Sequence, residues 1–318
     1  LLCFATLQRK FSWGPSVRFV ERIRKAVMAL AIGFIACGTH ASPVQPPAAK
    51  ATPAAKSAPQ AKSASRSNAA DVRSAAYLIL DESTQEVLLS QKADEAMPIA
   101  SITKLMTALV VLEAKQPLDE KVQITKDDRI VEPGGRLAVG ASLTRGELLH
   151  LALMSSENRA ANALGRNYPG GIPGLLEAMN AKAKALGMKN SRFADATGLS
   201  SGNVASPRDL VKLVNAAARH PLIREYSTDP EETVMVGKYP VEYRNTNLLV
   251  NKPDWDVVVQ KTGFTNAAGQ CLVMKTIIDD RPVVMILMNS FGKLTRVADA
   301  RRVRKWMEAT TKETYAAI

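Results

Sequence analysis

The sequence predicts an α+β domain in which one antiparallel sheet is assembled from strands at both ends of the fold, with helices inserted between them. Three observations carry this. Near the start of the folded region, AAYLILDESTQEVLLSQ reads as two strands around a polar turn. After Asn251, WDVVVQKTGF, GQCLVMKTII and RPVVMILMNS read as three consecutive strands joined by short turns, an antiparallel meander. Between these blocks the pattern is mostly helical over 143–225, with a Gly/Pro break at 168–174 and a polar loop around 195–207.

The remaining elements follow in order. Arg22, Arg24 and Lys25 precede an apolar run, Ala26–Cys37, that is too short to span a bilayer by the roughly 20-residue criterion. Thr39-His40-Ala41 supplies small residues at the −3 and −1 positions, so residues 1–41 read as an export signal cleaved after Ala41. Lipid attachment at Cys37 is a weaker alternative, because Phe34 fits the −3 position of a lipobox poorly. Residues 42–72 are Ala, Pro, Lys, Ser and Gln with almost no large apolar side chain. Such a segment buries too little surface to offset its ordering entropy, so a disordered linker is expected. The folded domain then spans 73–315, with its helical insertion at about 115–225. Within it, Ser101–Ala114 is apolar on nearly every face, as in a helix buried in a core. A basic helix over 297–311 closes the domain; Arg301, Arg302, Arg304 and Trp306 suit a surface-and-core helix, not a membrane anchor.

Charge and composition exclude several functions. The net charge is +12, but residues 1–72 hold ten Lys/Arg against two acids, leaving the rest at about +4. No basic stripe is interleaved with aromatics, which argues against nucleic-acid binding. With three His, three Cys (Cys3, Cys37, Cys271) and no CxxC pair, metal-ligand spacing is lacking, and neither a metal nor a cofactor is expected. Cys271, in GQCLVMKTI, reads as a buried strand residue.

Three short motifs carry chemistry. Ser101-Ile102-Thr103-Lys104 places Ser and Lys on one helix face. A serine hydroxyl needs a base to act as a nucleophile, and a lysine desolvated in an apolar core has the lowered pKa a base requires. A capping Ser and a snorkelling Lys fit the same four residues. Ser156-Glu157-Asn158 breaks the apolar helical stretch LALMSSENRAANAL, where a hydroxyl and an amide could relay a proton and bind a peptide, or Ser156 could simply cap a helix. Lys261-Thr262-Gly263 follows the Val-Val-Val run. Its Lys can pair with a carboxylate, its Thr can add a hydroxyl contact, and its Gly lets a ligand backbone approach; a solvated strand end is the bland alternative. Two copies of these patterns read as chance: Ser290-Phe291-Gly292-Lys293 lies in a Gly-containing turn, and Ser201-Gly202-Asn203 lies in a polar loop.

Ser-x-x-Lys, Ser-x-Asn and Lys-Thr-Gly in this order are a signature of class A β-lactamases and penicillin-binding proteins. Over roughly Ala75–Met307 the chain resembles the D-alanyl-D-alanine carboxypeptidase and endopeptidase family of low-molecular-mass penicillin-binding proteins. The stretches PIASITKLMTALVVLEA, LTRGELLHLALMSSENRAANAL, FADATGL and YRNTNLL add to the likeness. The resemblance implies a penicillin-binding/β-lactamase-like fold, with a five-stranded antiparallel sheet flanked by helices and an all-helical subdomain. It implies that Ser101 is the acylated nucleophile and Lys104 its base. Ser156 would relay protons, Asn158 would hold substrate and Lys261 would bind its carboxylate. Backbone N–H groups of Ser101 and Phe264 would form the oxyanion hole. Partners would be peptidoglycan peptides, with β-lactams as covalent inhibitors, in the periplasm without a stable membrane anchor.

Carboxypeptidase members often add a second β-rich domain and an amphipathic C-terminal helix. This chain stops soon after its last core helix, which favours the endopeptidase branch that cuts D-alanyl–diaminopimelate cross-links, with D-alanine removal as the alternative. A β-lactamase is more distant: no Glu-x-x-Leu-Asn stretch follows Ser156, and the corresponding loop offers Asp195. A non-catalytic penicillin- or peptidoglycan-binding sensor would have no use for a desolvated base at Lys104.

Overall fold

The computed structural model describes residues 70–128 and 136–316. The expected signal with its cleavage point after Ala41, the lipidation alternative at Cys37 and all but the last three residues of the linker lie outside the described residues.

The main sheet has five strands in the order β2-β1-β11-β10-β9. They are β1 (Ser74–Asp81), β2 (Glu86–Gln91), β9 (Asp256–Thr265), β10 (Gly269–Ile278) and β11 (Arg281–Ser290). Every pairing is antiparallel, with Leu78 opposite Ile286 and Val273 opposite Lys261. The two ends of the domain therefore meet at the β1–β11 seam, as the terminal strand blocks predicted.

Both faces of this sheet are covered, which explains the nearly unbroken apolar run of β11. Successive side chains point to opposite faces. Val284, Ile286 and Met288 join Ala76, Leu78 and Leu80 against the helical core, while Val283, Met285 and Leu287 join Ile79, Leu272 and Met274 on the other face. There α7 (Thr295–Ala316) packs through Val297, Ala300, Val303 and Met307. Asp299 fastens this helix to the first strand, accepting hydrogen bonds from Ser74 N (2.8 Å) and Ser74 Oγ (2.5 Å). Ser290 is buried and bonded to Ser74 Oγ at 2.7 Å, so the second Ser-x-x-Lys copy is part of the sheet seam.

The helices lie between β2 and β9 in the chain: α1 (Thr103–Glu113), α2 (Arg145–Met154), α3 (Asn158–Arg166), α4 (Gly171–Ala185), α5 (Pro207–Ala218) and α6 (Pro221–Thr228). Thr103–Val111 of α1 is buried without interruption, so this helix is the axis of the core. Three two-stranded ribbons were not expected: β3 (Met97–Pro98) with β6 (Val204–Ala205), β4 (Lys121–Gln123) with β5 (Ser142–Thr144), and β7 (Glu231–Val236) with β8 (Tyr239–Arg244). Their strands are too short, or too exposed, to show a strong two-residue period. No helix among the described residues is long and apolar enough to cross a membrane.

Candidate active site

The serine of the first motif is not on α1 itself. Ala100–Ile102 form one 3₁₀ turn that feeds the helix at Thr103. This differs from the continuous helix expected from Ser101, and it sharpens the alignment, because residues three apart eclipse one another in a 3₁₀ turn. Lys104 Nζ lies 2.9 Å from Ser101 Oγ. The same amine donates to Asn158 Oδ1 at 2.7 Å and to the Thr197 carbonyl at 2.8 Å. Serine, lysine and asparagine from two of the three motifs thus share one amine.

Lys104 is 1% exposed. Removal from water disfavours its charged form and brings its pKa down to about 7, against the opposing pull of Asp195 and Glu157. An amine poised there is a competent general base at neutral pH.

Backbone geometry around Ser101 is tight. Ala100 has φ +47°, uncommon for a residue with a Cβ, and such strain persists only where neighbours over-determine it. Two glycines do so. A Cβ on Gly198 (φ +89°) would meet the Ala100 carbonyl carbon at 2.3 Å, and one on Gly263 would meet Ile99 O at 2.9 Å and Ser101 N at 3.1 Å. Gly263 therefore serves close packing of β9 against the serine turn. The 195–200 loop that carries Gly198 is held by Asp195, which accepts from Thr197 N (2.7 Å), Gly198 N (2.6 Å) and Ser200 N (2.6 Å). Asn203 closes the loop from within, fully buried, accepting from Ala194 N at 3.0 Å. The Ser-Gly-Asn copy is scaffold.

The second motif occupies the break between α2 and α3. Ser156 has φ +62°, and the cap of α3 is Glu157, whose side chain accepts from Arg159 N, and not Ser156. Ser155 Oγ is taken by the Leu151 carbonyl at 2.8 Å. Ser156 is thus spared from capping, and it lines a cavity with Glu157 and Tyr243.

Lys261 lies inside β9, not at its end, and is fully buried, unlike a solvated strand terminus. Its Nζ donates to the Thr262 carbonyl at 3.0 Å. Burial, then the positive charges of Lys104 and Arg296, push its pKa well below the ordinary value. An entering carboxylate would reverse that pressure and restore the charge. Thr262 Oγ1 is 2.6 Å from Thr246 Oγ1. Phe264 is 55% exposed at the far end of β9. Because β9 is the sheet edge, half of its backbone groups face away from β10.

Sequence reasoning assigned no role to four contributors: Thr197, Gly198, Thr246 and Arg296. The first two lie in FADATGL and Thr246 lies in YRNTNLL, so the family likeness marked the stretches without saying what they do. Arg296, which holds the Gly263 and Cys271 carbonyls at 2.8 and 3.1 Å, carried no local signal. Cys271 is buried, and desolvation lifts its thiol to about 11.

A partly exposed serine hydroxyl against a buried lysine amine, between an antiparallel sheet and a helical core, suits a serine acyl-transfer hydrolase. Comparison with known proteins narrows the class. Residues 61–292 match the peptidase S11 family, described as D-alanyl-D-alanine carboxypeptidase, and the chain belongs to that family. A D-alanyl-D-alanine endopeptidase of Pseudomonas aeruginosa is 49% identical over 242 residues, 75% of this chain and 78% of that one. Among solved structures, the Streptomyces K15 DD-transpeptidase superposes with a TM-score of 0.69 at 26% identity, covering 75% of this chain and 98% of that one. Penicillin-binding protein D2 of Listeria monocytogenes, in its cefotaxime-bound form, gives a TM-score of 0.65 at 29% identity, covering 74% and 97%.

Proposed function

We propose that this protein is a penicillin-sensitive serine DD-peptidase whose principal reaction is endopeptidic, cutting D-alanyl–diaminopimelate cross-links of peptidoglycan through an acyl-enzyme. The observation that carries the reading is the 2.9 Å contact of Ser101 Oγ with an amine whose pKa burial has brought to about 7. The 49% identity to an endopeptidase supports the cross-link as substrate. The family heading, a carboxypeptidase, keeps removal of terminal D-alanine as the second reading.

In this mechanism Ser101 Oγ attacks the D-alanyl carbonyl carbon as its proton passes to Lys104 Nζ. The carbonyl oxygen becomes an oxyanion facing the backbone N–H groups of Ser101 and Phe264, where fixed donors stabilise developing charge. The proton then moves through the Ser156 hydroxyl to the departing nitrogen, the C–N bond breaks, and the leaving amine is released. Water attacks the ester carbonyl, giving a proton to Lys104; the bond from the acyl carbon to Ser101 Oγ then breaks as Lys104 returns that proton to Oγ, releasing the acid and restoring the free serine. Asn158 holds the substrate amide, while Lys261 and Thr262 hold the carboxylate beside the scissile bond. β-Lactams acylate the same hydroxyl and leave slowly, since Asp195, in the loop where a β-lactamase would position water, is engaged with backbone N–H groups. Residues 1–41 act as the export signal and 42–72 as a tether, placing the domain of 73–315 in the periplasm, where its polymer lies.

Digestion of purified muropeptide dimers, followed by mass spectrometry, tests this. Monomers with stems of unchanged length are expected, and Ser101→Ala abolishes both the cleavage and labelling by fluorescent penicillin. Products that differ only by loss of single D-alanines favour the carboxypeptidase reading. Rapid multiple-turnover hydrolysis of a chromogenic cephalosporin would reverse the assignment in favour of a β-lactamase.

A further inference from the structure

The turn that bears Ser156 opens on its outer side into a cavity of about 390 Å³, between the α2–α3 break and the end of β8. This is within the size range of small-molecule sites and far more than the methyl group of a departing D-alanine would need. Its position along the substrate follows from Thr246. The Thr246 hydroxyl meets Thr262, the residue read above as holding the substrate carboxylate, at 2.6 Å. Thr246 N donates to the carbonyl of Met154, at the end of α2 and next to the turn that lines the cavity. Tyr243 and Arg244 stand three and two residues before Thr246 and line the cavity as well. The cavity therefore lies beyond the carboxylate end of the site, on the leaving-group side of the scissile bond.

Its chemistry is selective. Tyr243 is 1% exposed, yet its hydroxyl has no hydrogen-bond partner among the described residues. That hydroxyl is sealed from solvent, so it is the rest of the Tyr243 side chain that borders the cavity. The Arg136 guanidinium lies over the Tyr243 ring, 4.8 Å from its centroid, and forms no ion pair among the described residues. The other charges are already satisfied: Arg244 is paired with Glu242, and Glu157 accepts from the backbone N–H groups of Arg136 and Arg159 at 3.1 Å each. A guanidinium without an ion pair among the described residues, fixed over an aromatic ring, suits an oxygen anion or a carbonyl.

We infer that this cavity is a specificity subsite for the leaving half of a cross-linked substrate, with Arg136, seated on the Tyr243 ring, holding the carboxylate or amide carbonyl at the far centre of the departing diaminopimelate. The inference rests on the endopeptidase reading. Arg136 is a specificity residue that touches the leaving group remote from the reacting atoms, and the Tyr243 ring positions its guanidinium; that contact favours a long leaving group over D-alanine.

The test compares wild type, Arg136→Gln and Arg136→Glu on a purified cross-linked muropeptide dimer and on an acylated peptide ending in D-Ala-D-Ala, with fluorescent penicillin labelling as the readout of Ser101. Each substitution is expected to lower kcat/KM on the dimer about tenfold, with short-peptide hydrolysis and labelling rate within about twofold of wild type. Equal losses on both substrates, or an unchanged rate on the dimer, would overturn the subsite. Arg136 is exposed, so neither substitution is expected to disturb folding. A wild-type enzyme that labels with penicillin but leaves dimers intact overturns the endopeptidase reading and this inference with it. A wild type that cuts dimers, with variants that cut them equally well, overturns the subsite alone.

Discussion

Gly198 touches the residue that precedes Ser101: with φ +89°, any Cβ it carried would overlap the carbonyl of Ala100, 2.3 Å from the carbon and 2.8 Å from Ser101 N. The close approach lets the 197 carbonyl reach the Lys104 amine on the same turn of structure. One glycine thereby couples the position of Ser101 to the orientation of the Lys104 amine.

Gly198→Ala is therefore expected to cost both stability and reactivity. The side chain adds a steric clash to an unfavourable φ, a combination on the order of 2–4 kcal/mol. Thermal unfolding should show a lowered midpoint. At temperatures where the variant stays folded, penicillin labelling of Ser101 should still be slowed.

Replacing the base separates chemistry from folding. Lys104→Met removes the amine but keeps an unbranched side chain in the buried site. Acylation by penicillin should fall by roughly 10²–10⁴-fold, the usual worth of a positioned general base. Stopped-flow labelling measures this directly. A rate near that of wild type would remove Lys104 from the mechanism.

The pH dependence follows from the same amine. Only its neutral form accepts the serine proton, so acylation should rise with pH through about 7 and level off above it. Stability moves in the same direction for this group. Its folded pKa is depressed, so the unfolded chain binds more protons between about 7 and 10.5. Its contribution opposes folding most strongly below 7, and the opposition fades as pH rises toward 10.5. Denaturant melts of wild type and Lys104→Met at pH 6 and pH 9 should show the wild type gaining stability relative to the variant.

Thr246→Val tests how Thr262 is held. The substitution removes the hydroxyl 2.6 Å from Thr262 Oγ1 while keeping shape. Loss of one such hydrogen bond is worth about 1 kcal/mol, so KM for carboxylate-bearing peptides should rise about fivefold with kcat little changed. A fall in kcat alone would place Thr246 in proton transfer instead.

Asp195→Ala should loosen the loop that presents Thr197. Its carboxylate accepts from three backbone N–H groups within the loop, and charge-assisted bonds of this kind are worth about 1.5–3 kcal/mol. Lower thermal stability and slower acylation should appear together. If acylation alone were affected, Asp195 would be acting on Lys104 through its charge.

Much of this was legible in the residue order. Apolar strand blocks at both ends of the domain and an all-apolar helix between them are properties of the chain alone, because burial on both faces demands them. The Ser101–Lys104 pairing was legible too, since residues three apart on a turn must be neighbours. The structure shifted some details: the serine turn is 3₁₀, Glu157 caps α3, and Lys261 lies within its strand.

What the order of residues could not decide was which of several similar patterns becomes a site. Ser101-x-x-Lys104 and Ser290-x-x-Lys293 have one spacing, yet Ser290 is bonded to Ser74 in the sheet while Lys104 is sealed among Ser101, Asn158 and Thr197. Desolvation and hydrogen bonding depend on what distant segments bring alongside, 54 and 93 residues away for the two partners of Lys104 beyond its own turn. The amine's lowered pKa belongs to that assembled surrounding, so only the tertiary fold turns a short motif into chemistry.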